Sequence, residues 1–161
     1  MYSYNSTNKP ESKSLVLRAP ASEDGARVHR LIAECPPLDT NSMYCNLLQC
    51  SHFSATSVAA YMGQQEDLVG FISGYVIPEQ PDTLFIWQVA VSEKARGHGL
   101  AGRMIKDILG RSECSNVRYI ETTITAENDA SWGLFKGVAK KLNTELSDSV
   151  MFDRERHFGG S

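Results

Sequence analysis

The residues Leu84-Phe85-Ile86-Trp87-Gln88-Val89-Ala90-Val91 are almost all apolar, and no other stretch constrains the fold as strongly. A strand with one wet face alternates apolar and polar residues, whereas a strand covered on both faces does not need to. The run therefore predicts a strand in the middle of a sheet, with layers on both sides. Directly after it comes a glycine-rich turn, Arg96-Gly97-His98-Gly99-Leu100-Ala101-Gly102, and then Leu100, Met104, Ile105, Ile108 and Leu109 recur at helical spacing. Tyr119 to Thr125 reads as a further strand, which completes a β-loop-α-β unit. Such a loop aims several backbone N–H groups at one point, and the helix dipole adds partial positive charge there, so an anion fits. A tight turn demanding positive φ is the alternative, and three glycines beside Arg96 and His98 favour a ligand over it. The loop is not a P-loop, because no Gly-Lys-Ser/Thr follows. Nor is it a dinucleotide fingerprint, since Gly97-His98-Gly99 lacks the third glycine and the acid of that motif.

The remaining elements surround this unit. Leu15 to Arg18 is a short strand, and Ser22 starts a helix whose Val28, Leu31 and Ile32 share a face until Pro36-Pro37 ends it. Asp39 or Asn41 can cap a second helix bearing Met43, Tyr44, Leu47 and Leu48. Ser57–Met62 and Leu68–Val76 read as strands, and the turn Pro78–Asp82 makes an antiparallel meander with the apolar run. Late in the chain, Asn128 or Asp129 caps a helix carrying Trp132, Phe135, Val138, Ala139 and Leu142, and Ser149 to Phe152 predicts a last strand. The expected organisation is a polar, mobile tail over 1–14, one domain over 15–158 and a short mobile end over 159–161.

Composition excludes several function classes. With 161 residues and 42% apolar content, one domain with a full core is expected. Sixteen Lys+Arg against 19 Asp+Glu leave a net charge of −3 with no basic block, so nucleic acid is not an expected partner. No apolar run approaches the roughly 20 residues of a membrane span, and the polar start does not look like an export signal; a cytoplasmic protein is expected. Cys35, Cys45, Cys50 and Cys114 form no C-x-x-C pair and no zinc-type grouping, so no metal is expected and the thiols read as reduced and structural.

Arg96-x-x-Gly99-x-Ala101 resembles the R/Q-x-x-G-x-G/A signature of the GCN5-related N-acetyltransferases, and Val89-Ala90-Val91-Ser92 resembles the strand that leads into it. The resemblance extends from Leu15 to about Phe152. It implies an α/β (α+β) fold with a mixed central sheet of about six to seven strands flanked by about four helices. It also implies acetyl-CoA as cosubstrate, with the loop Arg96, Gly97, His98, Gly99, Leu100, Ala101 and Gly102 on the pyrophosphate, the backbone of Val89 and Val91 on the pantetheine, and Asn128 on the cofactor. Asn128 as a plain helix cap is compatible with that role.

The segment Pro37 to Leu48, with His52, Phe53 and Thr56, resembles the branch of that family that acetylates the γ-amine of L-2,4-diaminobutyrate in ectoine synthesis, and so do Trp87, Ile120 to Thr125 and the ending Phe152 to Phe158. Resemblance therefore implies a small-molecule acceptor and a homodimer, with Asp39, Tyr44, Trp87, Glu121 and His157 at the acceptor. Two departures from the common pattern bear on mechanism. Trp87 and Gln88 occupy the region where many members carry a Glu base, and Phe135 stands where many carry a Tyr acid. Glu121 is then the leading base or water-orienting candidate, and Tyr44 the second catalytic candidate. Other small amines, a protein amine, or a coenzyme A sensor without catalysis remain open at this point.

Overall fold

The structure is a computed structural model, and it describes residues 14–63 and 67–160. Its spine is a sheet in the order β1-β2-β3-β4-β5, built from β1 (Leu15–Arg18), β2 (Val58–Met62), β3 (Asp67–Ile77), β4 (Gln80–Val91) and β5 (Tyr119–Thr122). The first four strands pair antiparallel, while β5 lies parallel to β4. A parallel neighbour requires a crossover, and α3 (Leu100–Leu109) lies within it.

Both faces of the sheet are covered, as the apolar run predicts. On one side α1 (Gly25–Ala33) and α2 (Met43–Ser51) pack Val28, Leu31, Ile32 and Cys50 against Ala59, Tyr61 and Phe71. On the other, α3 and α4 (Asp129–Lys141) pack Met104, Ile105, Ile108, Phe135 and Val138 against Val58, Ala60, Ile72, Leu84 and Ile86. Neighbours Ala59 and Ala60 thus face opposite layers, which is the two-residue period of a strand buried on both sides. The thioether of Met104 lies against β3 at Gly70, where an added Cβ would stand only 3.0 Å from its sulfur.

A charged cluster anchors the start of α1. The Asp24 carboxylate, 2% exposed, takes two hydrogen bonds from the Arg18 guanidinium (2.8 and 2.9 Å), one from Ala21 N–H (2.7 Å) and one from the Tyr61 hydroxyl. Burial pushes its pKa up, but those donors outweigh burial and hold it at about 2.

Several expected boundaries are corrected. Ser22–Asp24 forms a 3-10 turn, and α1 begins at Gly25. α2 is capped by Ser42, whose Oγ accepts from Cys45 N–H at 3.1 Å, rather than by Asp39 or Asn41; the backbone and side chain of those two are engaged by Gln88. β2 starts one residue after Ser57, and β5 stops at Thr122 rather than Thr125. Ser149–Phe152 is not a strand: Val150, Met151 and Phe152 are exposed and pair with nothing in the sheet. Local chemistry takes over instead, because Asp153 Oδ1 accepts from Glu155 and Arg156 N–H and so caps α5 (Arg154–Phe158). The described residues therefore hold five strands and five α-helices, against the expected six to seven and four. Gly159 and Gly160 close α5, while residues 1–13 of the expected tail and Ser161 lie outside the described residues.

Candidate active site

The site begins where two parallel strands part. The β4–β5 ladder runs from Thr83↔Tyr119 to Ile86↔Thr122 and stops there, with Thr122 Oγ1 donating to Ile86 O at 2.9 Å. Beyond that point Gln88 to Val91 remain paired with β3 on one side only, and Trp87 is the extra residue of a bulge. Ser92 N–H reaches Val69 O at 2.8 Å, and ladder groups alternate sides, so the backbone of Val89 and Val91 faces the gap left by β5. The Val91 carbonyl is already engaged there by Arg96 Nε at 3.2 Å, which ties the loop to the strand. A cavity of about 660 Å³ fills the gap, bounded by β4, by Thr122 to Ile124, by the glycine loop and by α4.

One wall of the cavity is a ready anion site. Gly97 and Gly99 have φ of +84° and +68°, a conformation that side chains other than glycine resist. Gly99 is the N-cap of α3, and the first helical bond is Arg103 N–H to Gly99 O, so the N–H groups of Leu100, Ala101 and Gly102 precede the helical ladder. The Lys141 ammonium lies over this loop, 3.7 and 3.5 Å from where a Cβ would stand on Gly99 and Gly102. Backbone donors, helix dipole and a lysine thus converge on one spot of a cavity large enough for a cofactor chain. These residues fit the pyrophosphate and pantetheine of coenzyme A.

Cys35 to Leu38, Trp87 and Gln88 also line the cavity, with Cys35 Sγ against the same Val91 carbonyl at 3.5 Å. Trp87 meets Phe53 and Tyr75 edge-on, with ring centroids 6.0 Å apart in both pairs, and Tyr75 lies against Phe85. This half-exposed aromatic wall flanks the cavity where β4 turns toward it. Asp39 is exposed, and its carboxylate makes no hydrogen bond among the described residues now that Ser42 caps α2.

Of the residues singled out from the sequence, the structure brings Trp87, Val89, Val91, Arg96, Gly97, Gly99, Leu100, Ala101, Gly102 and Asn128 onto one cavity. Asn128 is also the cap of α4, its side chain accepting from Ser131 N–H at 3.1 Å. His98 faces a smaller hollow beside Arg103. Asp39, Tyr44, Glu121 and His157 do not line the main cavity. Tyr44 is 69% exposed on α2, Glu121 sits beside Phe85 in the β4–β5 ladder, and His157 accepts from Asp153 N–H within α5. Sequence reasoning missed Lys141, one of two adjacent lysines closing an ordinary amphipathic helix, and nothing in local pattern marks it. Gln88 carried a signal, as an uncharged residue where the family often has Glu.

The thiols are unsuited to nucleophilic work. Burial pushes Cys50 up to about 12 and raises Cys35, Cys45 and Cys114 as well, so each stays protonated near neutrality.

A parallel pair splayed over a glycine loop, with the cavity between, is the donor site of an acyl transferase, and the comparisons agree. The acetyltransferase (GNAT) family matches residues 26–139, and the chain belongs to that family. Within it, the chain is 63% identical over 144 residues to L-2,4-diaminobutyric acid acetyltransferase of Methylotuvimicrobium alcaliphilum, covering 89% of this chain and 83% of that one. The enzyme of the same description from Vibrio parahaemolyticus is 47% identical over 157 residues, covering 98% and 86%. Among solved structures, the diaminobutyrate acetyltransferase EctA from Paenibacillus lautus, in complex with L-2,4-diaminobutyric acid and coenzyme A, superposes with a TM-score of 0.76 at 40% identity, covering 81% and 78%.

Proposed function

We propose that this protein transfers the acetyl group of acetyl-CoA to the γ-amine of L-2,4-diaminobutyrate, giving N4-acetyl-L-2,4-diaminobutyrate for ectoine synthesis. One observation carries the reading: the β4–β5 splay opens a cavity lined by a backbone anion cradle and by Trp87, with the loop over 34–42, here the acceptor-side loop, at its edge. A 40% identical relative holding both coenzyme A and diaminobutyrate supports the same two-ended use.

The chemistry asks for a neutral amine. An alkyl amine of pKa near 10.4 stands about 3.4 units above pH 7, so deprotonation costs about 4.6 kcal/mol. A nearby base, a water chain or a desolvating pocket can supply it, and the Trp87 wall excludes water on one side. Attack on the thioester carbonyl then needs a donor for the developing oxyanion, and the gap-facing N–H groups at Val89 and Val91 are suited to that. The loop from Arg96 to Gly102 and Lys141 hold the pyrophosphate end.

Selectivity is a matter of position. The α-amine is less basic than the γ-amine and hence more often neutral, so reactivity alone favours the wrong nitrogen. Anchoring the α-ammonium, with Asp39 as its counter-charge, presents only the γ-nitrogen to the thioester. Tyr44, Glu121 and His157 lie outside the lining of this cavity; Glu121, in the ladder beside Phe85, is the proposed base or water-orienting group, and Tyr44 and His157 are assigned to the acceptor side by resemblance alone. The protein acts in the cytoplasm as a homodimer, and sedimentation at enzyme-assay concentration tests the second part.

Release of free coenzyme A from acetyl-CoA is the deciding assay. Release with diaminobutyrate, and not with lysine, ornithine or buffer, is the expected result; release with none of them rejects the reading.

A further inference from the structure

A chain of side-chain amides runs through the interior behind the acceptor-side loop. His29 Nδ1 meets Asn46 Oδ1 at 2.9 Å, Asn46 Nδ2 donates to Gln49 Oε1 at 3.0 Å, and Gln49 Nε2 donates to Gln88 Oε1 at 3.3 Å. Gln88 Nε2 then donates to the backbone carbonyl of Asp39 at 3.2 Å, and Asn41 Nδ2 donates to Gln88 Oε1 at 3.0 Å. Asn46 and Gln49 are fully buried and Gln88 is 9% exposed.

The direction of the chain follows from its last acceptor. A backbone carbonyl cannot donate, so Gln88 must turn its NH₂ toward Asp39 and its oxygen toward Gln49 and Asn41. Gln49 must therefore donate, which turns its oxygen toward Asn46. Asn46 in turn donates with its nitrogen, and His29 is left to donate through Nδ1. Every amide orientation behind the site is thus set by the placing of one carbonyl in the loop.

We propose that Gln88 is a positioning residue of the acceptor subsite: it clasps Asp39 by the backbone and Asn41 by the side chain, and the buried amides behind it lock its orientation. Leu38, next to Asp39, lines the cavity, so the clasp fixes the loop at the cavity's edge, and the Asp39 carboxylate makes no hydrogen bond among the described residues. The inference rests on the reading in which Asp39 binds the acceptor ammonium.

One consequence runs against the family pattern. Gln88→Glu puts a carboxylate near the position where many members carry their base, yet here a carboxylate oxygen would face the Asp39 carbonyl at 3.2 Å with no proton between them. The substitution is expected to loosen the loop rather than to add a base.

The test is steady-state kinetics of the full chain with both substrates varied. Gln88→Glu and Gln88→Met are expected to raise the KM for diaminobutyrate roughly ten-fold and Asn41→Ala about three-fold, with the KM for acetyl-CoA unchanged. Asn41→Ala cuts the tether from the loop side without touching the buried amides, so it reports even where the Gln88 variants fold poorly. An unchanged diaminobutyrate KM in Asn41→Ala, or a higher kcat in Gln88→Glu, overturns the proposal. Amide hydrogen exchange over residues 38–42 reads the same tether without substrate: faster exchange in Asn41→Ala and Gln88→Met supports it, and unchanged exchange rejects it. Failure of the diaminobutyrate reading looks different, as a wild-type protein that releases no coenzyme A with diaminobutyrate while the exchange result still stands.

Discussion

The two ends of the cavity are built from different materials. The donor end, from Gly97 to Gly102, presents backbone N–H groups at a helix start, and its geometry is written in positive φ angles that glycine permits. The proposed acceptor end is made of side chains from distant segments, with Trp87 on β4, Asp39 in the loop before α2, and Gln88 tying that loop to the buried amides of α2. Backbone donors suit a ligand shared by a whole family, because a pyrophosphate needs only N–H groups and positive potential. Side chains suit an acceptor that differs from member to member, since each can be exchanged without disturbing the sheet.

Perturbing each end should move one Michaelis constant and leave the other alone. The largest effect is expected at Asp39. Asp39→Ala should lower kcat/KM for diaminobutyrate roughly 10- to 100-fold, the scale of a lost charge-assisted hydrogen bond, with acetyl-CoA KM unchanged; unaltered kinetics would remove Asp39 from the site. Gly99→Val comes next, because φ of +68° penalises a β-branched residue. It should raise the acetyl-CoA KM roughly ten-fold and leave diaminobutyrate binding near wild type. A rise in both constants would break the division between the two ends.

Lys141→Met should have a smaller effect on the same constant, about three-fold, and one that shrinks as salt is added. Acetyl-pantetheine, which lacks the phosphates, should not distinguish this variant from wild type, and a difference would place Lys141 elsewhere. The smallest effect on turnover is expected at Asp24, which touches neither end. Its folded pKa of about 2 lies below the ordinary 3.8, so its contribution is complete above the upper value and lost as pH falls through the lower one. That contribution is roughly 2 kcal/mol. Asp24→Asn should lower the melting temperature at pH 7 and flatten the acid limb of stability between pH 4 and 2, with both KM values unchanged.

Legibility in the sequence follows the same division. The central strand, the glycine loop and the helices flanking it were readable because each rests on local chemistry: an apolar run, residues suited to positive φ, and helical spacing. Ser149 to Phe152 misled because its residues stay exposed and unpaired in the sheet, although the outer edge of β5 is open among the described residues, while Asp153 caps α5 next to it. The start of α2 misled for a related reason. Asp39 and Asn41 have good capping side chains, but Gln88, 49 and 47 residues away, holds Asp39 by its backbone carbonyl and Asn41 by its side chain, and Ser42 caps instead.

By itself the sequence pointed to the family and to a candidate donor site, because glycines between a strand and a helix permit the positive φ that a backbone anion cradle needs. Tertiary structure decided the rest. Only folding stops the β4–β5 ladder at Ile86, lays Lys141 over the loop, and threads His29, Asn46, Gln49 and Gln88 into one line ending at Asp39. Those contacts join residues far apart in the chain, and their energies depend on burial and orientation, which exist only once the layers have packed.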